Sequence, residues 1–363
     1  MLNRETQTVL GLMSGTSLDG VDAAVLQTDG VDVAGFGKTR YRAYSAAEKR
    51  ILHAALGCWP GDEGANEAAR IVETAHAEIM AQFDGIDLAG FHGQTLAHDP
   101  ARGRTHQVGS GAAVATLAGY PVVWDFRTAD MMAGGQGAPL APFYHFALAR
   151  WIKARTPLVF LNLGGVGNLT WVDPSMPAPE ADGALLAFDT GPANAPLDDV
   201  CKAQLGVAYD SDGRIAATGV PDMAAVSDYL DGAYFSASPP KSLDRAAPEL
   251  SALVSNLSTA DALATLAEAV AGTVARGFDH LPGTPAQVLV CGGGRYNTDL
   301  MRRLAAHLPC DVVPIETAGL DGDMIEAQAF AYLAMRVKYG LPTSSRMTTG
   351  VQTPVVGGQI SFP

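Results

Sequence analysis

The feature that most constrains this fold is a polar, glycine-containing hairpin that occurs twice, once in each half of the chain. From Thr8 to Leu26 an apolar run enters Ser14-Gly15-Thr16-Ser17 and leaves through a second apolar run. From Leu158 to Val172 the run VFLNL meets Gly164-Gly165-Val166-Gly167-Asn168 and departs through LTWV. Apolar strands around a glycine-rich turn read as antiparallel pairs. Their recurrence predicts a duplicated α/β plan with two lobes. The length of 363 residues agrees, being more than one average domain and fewer than three, and 48% hydrophobic composition supplies a substantial core.

Between and after the hairpins, helix-spaced apolar residues predict helices at Glu63 to Gln82, Thr259 to Phe278 and Asp323 to Val337. Short strands alternate with them. IDLAGF ends at Phe91 before His92-Gly93-Gln94-Thr95, and YPVVW ends at Trp124 before Asp125-Phe126-Arg127. Loops after strand C-termini are where α/β folds hold ligands. His92 and Asp125 also read as satisfied turn residues. A third glycine loop, Gly292-Gly293-Gly294, follows the strand AQVLVC, and the tail from Gly340 is expected to pack back on the first lobe.

No GxxxxGK[ST] occurs, and no GxGxxG follows a strand and opens a helix. Two glycine-containing tips across a cleft offer another way to hold phosphates, through backbone N–H groups and small hydroxyls. The formal charge of −14, without a Lys/Arg cluster, predicts no nucleic-acid partner. Four cysteines without a CxxC pair suggest reduced thiols in a cytoplasm. The absence of a long apolar segment predicts a soluble, unprocessed chain with no membrane partner.

In Ala187-Phe188-Asp189-Thr190-Gly191-Pro192-Ala193-Asn194, an acidic residue ends an apolar run just before Gly-Pro. Such a turn presents a carboxylate as a general base requires. An Asx-turn or helix cap would use the same residue type.

Taken together, GLMSGTSLDGVD (11–22), HGQT (92–95), DFRTADMMAGGQGAPL (125–140), LNLGGVGNLT (161–170), FDTGPAN (188–194), PPKS (239–242) and CGGGRYN (291–297) resemble the anhydro-N-acetylmuramic acid kinase family, in that family's order and over nearly the whole chain. The resemblance implies a two-lobed, actin-like ATPase (ribonuclease H-like) fold with a central nucleotide cleft. It also implies ATP and Mg²⁺ as cofactors, an anhydro sugar as substrate, and a homodimer. We expect residues 1–130 with 341–363 to form the first lobe and 131–340 the second. The resemblance assigns Gly15, Thr16, Ser17, Leu18, Asp19, Gly20, Val21 and Asp22 to a first phosphate loop. Gly164, Gly165, Gly167 and Asn168 fall in a second, Gly292, Gly293 and Gly294 on the adenosine side, and Asp189 at the catalytic aspartate.

The substrate's chemistry extends these expectations. Phosphorylating O6 of a 1,6-anhydro sugar requires breaking the C1–O6 bond, so water must enter, and Asp189 is the base expected to activate it. Arg127 suits a lactyl carboxylate, with a salt bridge to Asp125 or Asp130 as its other reading. His92, Gln94 and Thr95 are candidate sugar ligands. Asp19 is expected near Mg²⁺ through water; Glu326 is a weaker candidate for the same cleft, with a solvated helix face as its favoured reading. Three departures from the family pattern stand out: Leu243-Asp244-Arg245 follows Ser242 in place of Thr-Gly-Arg-Glu, GPAN replaces GPGN, and Phe91 precedes His92 where a Ser is common. The residues alone also admit a superfamily kinase for an ordinary sugar or small acid, and a nucleotide-binding regulator that transfers no phosphate.

Overall fold

The structure, a computed structural model, describes residues 4–243 and 248–363. Asp244 and Arg245, within the first departure, lie outside the described residues. The chain forms two compact units, one of Met1–Lys153, Ala178–Glu180 and Met324–Pro363, the other of Ala154–Pro177 and Ala181–Asp323.

In the first unit β1 (Gln7–Ser14), β2 (Gly20–Thr28) and β3 (Val33–Ala43) form an antiparallel meander. On the other side of β1 lies β4 (Leu88–Asp99), parallel to it. The strand β5 (Arg104–Val108) folds back on β4, and β6 (Val122–Trp124) extends the parallel part. The C-terminal strand Gln359–Ser361 closes the edge beyond β6.

The second unit repeats the order. Its meander is β7 (Leu158–Leu163), β8 (Val166–Val172) and β9 (Leu185–Pro192). The strand β10 (Gln287–Cys291) runs parallel to β7, and β11 (Asp311–Pro314) runs parallel to β10. A three-strand meander extended by parallel strands beside its first member is the ribonuclease H-like arrangement expected of an actin-like ATPase, and it occurs in both units.

The helix predicted at Thr259 to Phe278 forms with those bounds, and the Ser258 hydroxyl caps it by accepting from the Asp261 N–H. It is buried almost all round, as an Ala-rich helix against a sheet can be. The unit boundaries differ from the expected 130 and 341: residues 131–153 and 324–340 belong to the first unit. The cause is long-range packing of the helix Ile325–Lys338 on β1 and β4. A Cβ on Gly11 would stand 1.8 Å from the Ala327 carbonyl oxygen, and one on Gly90 2.1 Å from that of Phe330. Two bare glycines thus let the helix backbone lie directly on the sheet.

Candidate active site

In the second unit, Asp189 sits within β9 opposite Asn168 of β8, beside a bulge at Gly167/Asn168. The Asn168 amide Nδ2 donates to Asp189 Oδ1 at 2.8 Å, and the Leu243 N–H donates to Oδ2 at 2.8 Å. The Asp189 N–H donates to the Lys241 carbonyl at 3.0 Å, and the Tyr234 hydroxyl donates to the Asp189 carbonyl at 2.8 Å. Burial raises the carboxyl pKa, while the bonds from Asn168 and Leu243 pull it down. Each oxygen receives one of these protein donors, which leaves acceptor capacity on both. The side chain of Asn168, a residue expected in the second phosphate loop, orients the carboxylate.

The PPKS segment carries a positioning role that its residue types alone did not disclose. Lys241 is held by the Tyr234 and Phe235 carbonyls at 3.0 and 3.1 Å, and this fixes the backbone that grips Asp189. Leu243, where this segment leaves the family pattern, contributes through its backbone N–H, which any residue other than proline could supply. The second departure is accommodated by backbone conformation: Ala193 has φ −126°, so its Cβ meets no left-handed strain.

At the β7–β8 turn, the Gly164 carbonyl accepts from the Asn194 N–H, and the Gly165 carbonyl accepts from the Ala193 N–H, both at 2.9 Å. Peptide N–H and C=O groups point oppositely. Turning the carbonyls toward the helix Asn194–Leu205 therefore turns the Gly165 and Val166 N–H groups away from it, as a phosphate loop needs. Gly167 is buried, and a Cβ there would meet the Thr190 hydroxyl at 2.6 Å.

The third loop borders a cavity of about 400 Å³ lined by Asn194, Tyr209, Asp210, Gly293, Tyr296 and Asn297, among others. Gly292 has φ +72° and leaves no room for a Cβ, which would fall 2.2 Å from Asn162 Oδ1, while Gly294 packs on Leu163. Arg295, which composition did not single out, organises this turn. It donates to the Gly292 carbonyl at 2.9 Å, pairs with Glu316 at 2.7 Å and Asp323 at 2.9 Å, and stacks on Tyr296.

In the first unit, Gly15–Asp19 joins β1 to β2, with Thr16, Ser17 and Asp19 exposed and Leu18 buried. Leu18 takes the left-handed conformation at φ +57°, a strained choice for a branched side chain, and its burial in the core holds it there. Gly20 and Val21 are buried as β2 begins, and Asp22 is half-buried facing β3. Gln94 is fully buried: Ser14 Oγ donates to its Oε1 at 2.6 Å, and its Nε2 donates to the Gly15 carbonyl at 3.2 Å. Thr95 accepts from Gln107 at 3.1 Å. Gln94 therefore braces the base of the first loop.

Arg127 forms no ion pair with Asp125 or Asp130. Asp125 accepts from Thr128, and Asp130 accepts from the Gly137 N–H, Ser344 and Thr349. Arg127 instead donates to His92 Nε2 from Nε at 3.1 Å and Nη2 at 2.9 Å, and to the Gly137 carbonyl from Nη1 at 2.6 Å. Burial lowers its pKa to about 10, against the opposing pull of Glu326 and Asp130, so it stays charged at neutral pH. Glu326 is exposed, as a solvated helix face would be, yet within electrostatic reach of Arg127.

Among the described residues no three His, Cys, Asp or Glu groups converge on a metal-sized site. Asp19 is a largely exposed carboxylate paired with Lys49 at 3.1 Å. A lone exposed carboxylate fits Mg²⁺ that keeps its waters and rides on a nucleotide's phosphates. No helix of the described residues is long and apolar enough to cross a membrane, and all four cysteines are free thiols.

Residues 7–363 match the family model described as anhydro-N-acetylmuramic acid kinase. Proteins named anhydro-N-acetylmuramic acid kinase from Cereibacter sphaeroides and a Ruegeria species are 59% and 58% identical to this chain over 355 residues each. These alignments cover 98% of it and 96% and 94% of those proteins. One from Acidiphilium cryptum is 45% identical, covering 98% of both chains. The chain belongs to the anhydro-N-acetylmuramic acid kinase family and is an ATP-dependent kinase.

Proposed function

We propose that this chain hydrolytically opens 1,6-anhydro-N-acetylmuramic acid and phosphorylates O6, giving N-acetylmuramic acid 6-phosphate in cell-wall recycling. The observation that carries the reading is Asp189, a carboxylate of raised pKa with one protein donor on each oxygen and acceptor capacity left on both. Asp189 takes a proton from water as the water oxygen bonds to C1. The C1–O6 bond breaks, its electron pair stays on O6, and O6 bonds to the γ-phosphorus as ADP departs.

The N–H groups of the β7–β8 turn and of the Gly15–Asp19 loop suit the phosphates, and the cavity beside Gly293 suits the adenosine. When bound, Mg²⁺ neutralises charge on the β- and γ-phosphates, and Asp19 is the residue that would hold it, through water. Arg127, a half-buried cation without a carboxylate partner within ion-pairing distance among the described residues, supports recognition of the lactyl carboxylate. His92, Gln94 and Thr95 shape the sugar side, and Gln94 does so by bracing the first loop. Free thiols support a cytoplasmic location. Family resemblance supports a homodimer, which light scattering on the purified chain would test.

The reaction is tested by mass spectrometry after a short incubation with ATP, Mg²⁺ and the anhydro sugar in ¹⁸O-labelled water. Unlabelled product held in the same water controls for exchange at the anomeric carbon. Wild-type protein is expected to give a 6-phosphate labelled at C1 beyond that control, and Asp189→Asn to lose about 10²- to 10⁴-fold in turnover while still binding ATP. No sugar phosphate from ATP-binding wild-type protein would reject the substrate.

A further inference from the structure

Arg127 is aimed by two acceptors that are themselves immobilised. Arginine has only donors, so His92 Nε2, which receives both Arg127 Nε and Nη2, must offer a lone pair. The ring proton then resides on Nδ1, which donates to the Gly93 carbonyl at 2.9 Å. A protonated ring would set N–H against N–H, so His92 is neutral here for geometric reasons. Burial and the adjacent Arg127 charge lower its pKa in the same sense. The ring is further packed on Phe330, 4.6 Å between centroids. Gly93 has φ +74°, and a Cβ there would strike the Val108 carbonyl at 2.7 Å, so the acceptor of the Nδ1 proton is fixed as well.

The second acceptor is the Gly137 peptide, clamped from both ends. Its carbonyl accepts from Arg127 Nη1, and its N–H donates to Asp130 Oδ1 at 2.7 Å. The other Asp130 oxygen accepts from Ser344 at 2.5 Å and Thr349 at 2.6 Å. Held along one side and at Nη1, the guanidinium keeps one further N–H on each of its two terminal nitrogens. Two N–H donors on adjacent terminal nitrogens are the number a carboxylate accepts.

We infer that His92 is a positioning residue for substrate selectivity: its Nδ1–H tautomer holds Arg127 so that the two terminal N–H groups meet the lactyl carboxylate, and the ring itself is not a sugar ligand. The inference rests on Arg127 binding that carboxylate. It assigns His92 neither proton transfer nor direct sugar contact, so its loss should weaken discrimination between sugars and leave nucleotide binding intact.

The test compares kcat/KM for 1,6-anhydro-N-acetylmuramic acid with that for 1,6-anhydro-N-acetylglucosamine, which lacks the lactyl group, in wild type, His92→Asn, His92→Gln and Arg127→Met. A glutamine carbonyl reaches the region of Nε2, whereas an asparagine carbonyl reaches only that of Nδ1. Arg127→Met should abolish the preference for the carboxylate-bearing sugar. His92→Asn should cut it by about 10- to 100-fold, as misplacement on the scale of 1 Å does, with KM for ATP unchanged, and His92→Gln should restore most of it. Equal selectivity in wild type and His92→Asn, or equal loss in the Asn and Gln variants, overturns the inference. An unchanged preference in Arg127→Met overturns the reading beneath it. Long-range ¹H–¹⁵N spectra of the wild type give an independent check should a variant fail to fold: a proton on Nε2 of His92 would also overturn the inference.

Discussion

Asp189 meets two demands that oppose each other. As a base it benefits from the desolvation that raises its pKa, and as a half-buried carboxylate it weakens the fold by the same shift. Folded protein binds this proton more tightly than unfolded protein does. The penalty therefore sets in as pH rises from the ordinary carboxylate range through the raised folded value, and it persists above that. Asp189→Asn removes the charge, and Asn168 can turn its amide to accept from the new NH₂ group. Thermal melts should place Asp189→Asn above wild type at neutral pH and level with it below the carboxylate range; a lower melting temperature at neutral pH would refute this account. The acid limb of kcat/KM should likewise fall with an apparent pKa above that of a free carboxylate. Sequence reading found Asp189 because an acid closing an apolar run before Gly-Pro is a local signal, although the expected turn is absent and β9 continues through Pro192. It could not find the Leu243 N–H or the Asn168 amide, because those partners are set by strand register and a distant loop.

The glycine turns were legible as elements, since apolar runs flanking Gly, Ser and Thr specify a hairpin from within the segment. What holds each turn was less so. Gln94 braces the first turn from another strand, the Asn194 N–H and side chain brace the second, and Arg295 braces the third. Arg295→Met would free the Gly292 carbonyl and the ring of Tyr296, while Glu316 and Asp323, both about half exposed, would simply hydrate. The expected result is a rise of about 10-fold in KM for ATP, the scale of one charge-assisted hydrogen bond. KM for the sugar and the melting temperature should scarcely move. A larger change in sugar than in nucleotide KM would show that Arg295 serves something other than the adenosine turn.

At the scale of the whole chain, the first unit is closed by its last residues. The helix Ile325–Lys338 and the strand Gln359–Ser361 complete a sheet whose first strand is Gln7–Ser14. Sequence order suggested that residues 324–340 belong with the elements just before them. The packing that decides otherwise pairs glycines near the N-terminus with backbone carbonyls more than 200 residues later, which no local pattern encodes. Gly90 is the sharpest case, because a Cβ there meets the Phe330 carbonyl, backbone that cannot rotate aside. Gly90→Ala should therefore lift the helix from β4 at a cost of about 1–3 kcal/mol, lowering Tm by about 2–12 °C for a domain of this size. Hydrogen exchange should quicken at amides of β1 and β4 while β7 and β10 keep their protection. Unchanged Tm and exchange would mean that the helix does not lie on the sheet as described, and that the C-terminal closure of the first unit rests on other contacts.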